Sequence, residues 1–212
     1  MATKDDYLAT ARSAAKLLRA PEVTEEWGEP SALPKFSVGG LAGHLAYQVL
    51  SIRDILRTPE PEEPVIPLLE HYGRVDWVDS ELDDEINVRI RNGGEALAHE
   101  GPEALVACVD SAVAHLAVAL DSADLDRPVR IPLWGPWSLR LEDMLIARMM
   151  ELAVHSDDLA VSVDLPTPEL PQDALNTVVD LLSRLSVRRH GQAAVLRALT
   201  RAERAPSTVA AF

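Results

Sequence analysis

Residues 138–163 read SLRLEDMLIARMMELAVHSDDLAVSV, and the spacing of their apolar positions is that of a helix. Pro136 ends the preceding loop, Ser138 is placed to cap, and Glu142 and Asp143 put negative charge at the positive end of the helix dipole. Leu141, Leu145, Leu152 and Leu159 form a stripe, and Pro166 stops the run. At about 100° per residue, Met144, Glu151, His155 and Asp158 fall within a wedge of roughly 60°. Glu151 and His155 are one turn apart, so their side chains converge on one point. In a helix this rich in Leu, Met and Ala that face is expected to point inward, where an unpaired carboxylate is costly. A metal ion bound by one carboxylate oxygen and one imidazole nitrogen would satisfy it.

The other 186 residues of this 212-residue chain supply what such a helix needs around it, one sizeable core or one domain with an extension. Ala and Leu dominate and aromatics make up 4 %, which favours helix packing over a β-sandwich. A formal charge of −14 speaks against nucleic acid and against an anionic membrane surface as partners. The single cysteine, Cys108, excludes an internal disulfide framework and a cysteine-based zinc finger. It lies in the apolar run ALVACVDSAVAHLAVAL and is expected to be a buried small hydrophobe. The N-terminal MATKDDYLATARSAAKLL is charged and amphipathic, unlike a signal peptide. With no stretch of 18 uncharged apolar residues, no membrane span is expected and a cytoplasmic location is the default.

In chain order, residues 5–18 are the first expected helix, and residues 21–34 a connection rich in Pro, Glu and Gly. Ser37 opens the second helix, VGGLAGHLAYQVLSIRDIL, with Leu41, Leu45, Ile52 and Leu56 as its stripe and His44 beside it. Gly39, Gly40 and Gly43 lower helix propensity but allow a neighbouring backbone to approach where His44 points. A Pro/Glu-rich loop follows over 58–67, then a moderately helical stretch over 79–98 and a strongly helical one over 103–120. Residues 126–138 carry three prolines and a glycine, which excludes helix and predicts an extended piece laying Trp134 and Trp137 over the mouth of a bundle. Further helix is expected over 172–185, and a last piece groups Arg188, Arg189, Arg197 and Arg201 as candidate carboxylate binders. The natural assembly is all-α, an antiparallel four-helix bundle over residues 1–165 with a short helical extension over 166–212 packed on it.

His44, Glu151 and His155 make a set of two imidazoles and one carboxylate that is typical of catalytic zinc, with a fourth position open. The same set suits iron(II) or nickel. Each pair alone occurs readily on solvated faces, and it is the third ligand on a second helix that raises the signal. Asp158 is placed to accept the other N–H of His155, and Arg148 to orient the carboxylate or bind an anion, so these two are the candidate catalytic residues. His71 and His99 sit in or next to loops, His190 at a helix end, and His115 reads as a core histidine. No phosphate-binding glycine loop, nucleophile elbow or Cys-His pair is present.

GGLAGHLAYQV, followed about a hundred residues later by RMMELAVHSDDLAV, resembles the N-terminal domain of mycothiol-dependent maleylpyruvate isomerases, in the DinB-like metalloenzyme superfamily. PSALPKFSV (30–38) is similar to the family's lead-in to helix two, and RHGQAAVLRALTRAERA adds likeness at the tail. The resemblance spans residues 5–165 and implies a DinB-like four-helix bundle, zinc on His44, Glu151 and His155, and a low-molecular-weight thiol such as mycothiol as cosubstrate. The family's full-length isomerases carry a separate α/β domain where this chain has residues 166–212.

The reading is therefore a zinc- and thiol-dependent isomerase or S-transferase acting on a small electrophile, with no nucleic-acid or membrane partner and a homodimer left open. A non-catalytic bundle that binds a metal or small ligand is the alternative.

Overall fold

The helical spacing of Leu, Ala and Val along the chain is realised almost throughout. The computed structural model describes residues 3–78 and 80–212. Asp79, from which one helical stretch was expected to start, lies outside them, as do Met1 and Ala2. In order the elements are α1 (Thr3–Leu18), α2 (Pro21–Glu25), α3 (Val38–Ile55), α4 (Leu68–His71), α5 (Glu85–Ala98), α6 (Pro102–Ala119), β1 (Pro128–Val129), β2 (Leu139–Arg140), α7 (Leu141–Ser162), α8 (Gln172–His190) and α9 (Gln192–Thr200). Short 3-10 turns cover Pro132–Trp134 and Ala202–Arg204. The fold is all-α with one two-residue ribbon.

α1 and α3 each pack on both α6 and α7, closing a core in which Tyr7, Leu41, Leu45, Leu116, Leu145 and Met149 are fully buried. Burying each such side chain stabilises the fold by about 1.5–3 kcal/mol relative to leaving it in water. α8 adds Ala174, Val178, Leu181 and Leu185 to the same core by packing on α1 and α7. α5 lies along α3. The two helices meet backbone to backbone, for a Cβ on Gly43 would overlap the Gly94 carbonyl and one on Gly94 the Gly40 carbonyl. The glycines before His44 thus do what their sequence position suggests.

Local signals explain most boundaries. Ser37 caps α3, its Oγ accepting from the Gly40 N–H at 2.8 Å. Gly101, with φ of +90°, and Pro102 start α6. Asp164, with φ of +54°, turns the chain out of α7 while Leu165 N–H reaches back to the Ala160 carbonyl at 2.9 Å.

The start of α7 departs from the sequence reading. Ser138 does not cap it; the N-cap is Arg140, without a side-chain cap bond. Ser138 is instead extended, its N–H donating to Pro64 at 2.9 Å and its carbonyl accepting from Ile66 at 3.0 Å. Leu139 and Arg140 pair with Val129 and Pro128. Long-range backbone pairing wins here over the local capping preference, and it holds 130–138 as a loop at the mouth of the bundle.

α6 corrects two further expectations. Cys108 and His115 are exposed, not buried. α6 is covered by α1 and α3 along one side, and Leu105, Val109, Ala112 and Leu116 take the inward positions. Cys108 and His115 lie well off that stripe. By length and composition alone α6 is apolar enough to cross a membrane, with a mean hydropathy of 1.4 over 18 residues. Its inward stripe is in the core, and its Asp110 pairs with Arg19, just past the end of α1.

Candidate metal centre

α3 and α7 pack side by side, and each presents its polar wedge to the other. His44 Nε2 lies 3.2 Å from His155 Nε2, and His155 Nε2 lies 3.1 Å from Glu151 Oε2. One ligand atom from each of the three residues falls within 4.8 Å of the other two. Asp158 Oδ2 stands 2.9 Å from His155 Nδ1, on the opposite edge of the ring from the cluster. That carboxylate accepts the Nδ1 proton and leaves the Nε2 lone pair facing Glu151 and His44.

Three lone-pair atoms then converge, and the Gln48 amide, 3.4 Å from His44 Nε2, is the one protein donor beside them among the described residues, so the cluster suits a cation. Without a metal, a proton takes that place. Burial disfavours charge on His155, but the Asp158 and Glu151 carboxylates outweigh it and raise the imidazole to about 9. Burial, the His155 charge and Arg148 push His44 down to about 3. Burial would raise Glu151, yet the His155 hydrogen bond and the charges of His155, Arg148 and His44 hold it at about 2. A divalent metal would satisfy all three groups at once, and two nitrogens with one carboxylate oxygen suit zinc, iron(II) or nickel.

The cluster forms one wall of a cavity of about 380 Å³. Phe36, Tyr47, Ile90, Ile131, Leu133 and Trp134 give it a largely apolar lining, and Arg148 and His71 also line it. Trp137 is buried just behind, its indole N–H donating to His71 Nδ1 at 3.1 Å.

All five residues singled out in the sequence, His44, Arg148, Glu151, His155 and Asp158, lie on α3 and α7 at this place. Arg148, Glu151, His155 and His44 line the cavity, while Asp158 stands behind His155. His71 is a correction, since it is 1 % exposed and part of the cavity wall rather than a bland loop histidine. The sequence offers little sign of this, because its place depends on α4 docking against α7. The C-terminal arginines, candidate carboxylate binders in the sequence, do not reach the cavity. Arg188 donates to the Leu69 carbonyl and Arg201 to that of Thr200. α8 packs on the bundle and α9 on α8, and all four arginines are exposed.

The family model described as mycothiol maleylpyruvate isomerase N-terminal domain matches residues 7–160. No curated protein matches the chain in sequence. Among solved structures, the crystal structure of the mycothiol-dependent maleylpyruvate isomerase aligns with a TM-score of 0.52 and 16 % identity, covering 88 % of this chain and 72 % of that one. At that identity the likeness is one of fold. The matched residues run from α1 almost to the end of α7 and include His44, Arg148, Glu151, His155 and Asp158, and the chain belongs to the mycothiol maleylpyruvate isomerase N-terminal domain family.

Proposed function

We propose that this chain is a divalent-metal-dependent enzyme that uses a small thiol, mycothiol or one like it, to isomerise or transfer to a small electrophile. The observation that carries the reading is the convergence of His44, Glu151 and His155 on the wall of an apolar cavity. His44, Glu151 and His155 would hold the metal, with zinc first in line. Bound there with three protein ligands, such an ion leaves a position for the thiol and lowers its pKa toward neutrality.

The protein's own groups do the rest. Asp158 fixes the tautomer and tilt of His155 through the Nδ1 proton. The positive charge of Arg148 favours an anionic partner in the cavity. Phe36, Ile131 and Trp134 give the reacting groups an apolar wall. No protein thiol serves as nucleophile, because Cys108 is exposed on α6 and absent from the cavity wall. The thiol therefore comes from solution. Membership of a family named for a mycothiol isomerase supports that choice.

The test pairs metal analysis with turnover. Purified protein should hold close to one equivalent of a divalent metal. With a panel of cellular thiols, the loaded protein should consume a model activated alkene faster than thiol alone, and His44→Ala should remove that excess. Metal binding without any thiol-dependent turnover would make the chain a non-catalytic metal-binding bundle.

A further inference from the structure

The cavity has a second concentration of polar groups around Trp134, joined to the ligand cluster through Gln48, whose Oε1 accepts from Arg148 and whose Nε2 lies 3.4 Å from His44 Nε2. Arg148 is 4 % exposed, yet no carboxylate lies within ion-pair distance of it among the described residues. Its Nη1 donates to Gln48 Oε1, and its Nε is buried without a partner. Its Cζ lies 4.5 Å from the Trp134 ring centroid and 5.6 Å from that of Tyr47. Aromatic faces offset part of the cost of burying a cation, but they do not use its N–H donors. The other cations on the wall differ. Arg91 donates to the Leu82 carbonyl and lies 4.0 Å from Asp83, and Arg89 is exposed.

His71 stands on the same indole, its ring centroid 4.3 Å from that of Trp134. It is 1 % exposed. An indole N–H can only donate, so the 3.1 Å contact from Trp137 Nε1 makes His71 Nδ1 the acceptor and puts the ring proton on Nε2. No protein group takes that Nε2–H among the described residues. Burial, and then the Arg148 charge, lower His71 to about 4, which keeps it neutral at pH 7. A buried guanidinium without a salt bridge and a neutral N–H donor thus flank one indole on the cavity wall.

We propose that Arg148 and His71 form a carboxylate subsite, and that the substrate class is a small monocarboxylate with an apolar, unsaturated body. Phe36, Ile90 and Leu133 line the rest of the cavity and take that body, while the reactive carbons face the His44–Glu151–His155 wall. A single buried cation without a salt bridge of its own admits one anionic end. This deepens the proposed function and rests on the ligand cluster being the reacting centre, but its test uses neither thiol nor turnover.

The experiment follows tryptophan fluorescence of the full chain, zinc-loaded and again after chelation, during titration with benzoate and with isosteric, neutral benzamide. Benzoate should quench saturably in both states and bind roughly tenfold or more tighter than benzamide, as a charge-assisted hydrogen bond requires. Arg148→Met should remove that preference, and His71→Phe should weaken benzoate by about three- to tenfold. Should Arg148→Met fail to fold by circular dichroism, the wild-type benzoate-to-benzamide ratio and His71→Phe decide. Equal binding of the two ligands, no binding of either, or benzoate binding only in the zinc-loaded state and untouched by Arg148→Met each overturns the proposal. None of these results bears on thiol consumption, so the two readings fail separately.

Discussion

α6 and α7 are both Ala- and Leu-rich helices with a histidine near the middle or the C-terminal half, yet the two histidines have opposite fates. His115 of α6 is exposed, whereas His155 of α7 sits between Glu151, His44 and Asp158. The difference is one of neighbours. α7 is packed by α1, α3 and α8, while α6 is covered by α1 and α3 along one stripe. An apolar run therefore says that a helix has a buried side, and only the surrounding elements decide how much of its circumference that side takes. A polar residue on the well-covered helix must find partners, which is why its polar wedge is chemically meaningful and that of α6 is not.

The strongest way to break this contrast is to remove His155. Zinc at about a hundredfold excess over Kd should raise the melting temperature of the wild type by roughly 5–10 °C. Chelation should reverse the shift. His155→Ala should lose the response entirely while circular dichroism keeps its helical signal. A wild type indifferent to every divalent metal would mean that the cluster is held by protons alone.

Asp158 is the next test, since it touches His155 and not the metal position. Asp158→Asn should lower zinc affinity by about 10- to 100-fold in a competition titration with a chromogenic chelator. An unchanged affinity would show that the ring is oriented by packing.

A smaller effect concerns pH and the cavity's other imidazole. His71 has its ordinary pKa of 6.5 lowered to about 4 by burial and Arg148. The unfolded chain therefore binds a proton there first. The contribution of the neutral ring is complete above pH 6.5 and is lost as pH falls toward 4, at up to ~1.4 kcal/mol per pH unit. His71→Phe should flatten the acid side of a stability-against-pH curve by that slope, read from urea midpoints. A parallel curve would mean that the ring is hydrated in the folded state.

The smallest effects belong to α6. Cys108→Ser and His115→Ala should each change stability by less than about 0.5 kcal/mol and leave thiol-dependent turnover unchanged. A large loss in either would put chemistry on the helix that the fold turns to solvent.

Legibility in the sequence followed the range of the forces involved. Ser37 as a cap and the stripe of α7 act within a turn or two, and local spacing reads them correctly. Ser138 shows where that reading ends. Its local chemistry suits a helix cap, but pairing with residues 64–66, more than seventy positions away, makes it extended.

The sequence by itself determined the all-α architecture, since periodic Leu and Ala with few aromatics can bury their apolar surface only as packed helices. It also determined which side chains share a wedge on α7, because 100° per residue puts Glu151 and His155 together wherever that helix lies. Tertiary structure alone decided that His44 meets them at 3.2 Å, that Cys108 faces solvent, and that His71 and Arg148 share the face of Trp134. Each of these depends on which helix lies against which, and that choice is made by the summed burial of the whole core rather than by any short stretch of chain.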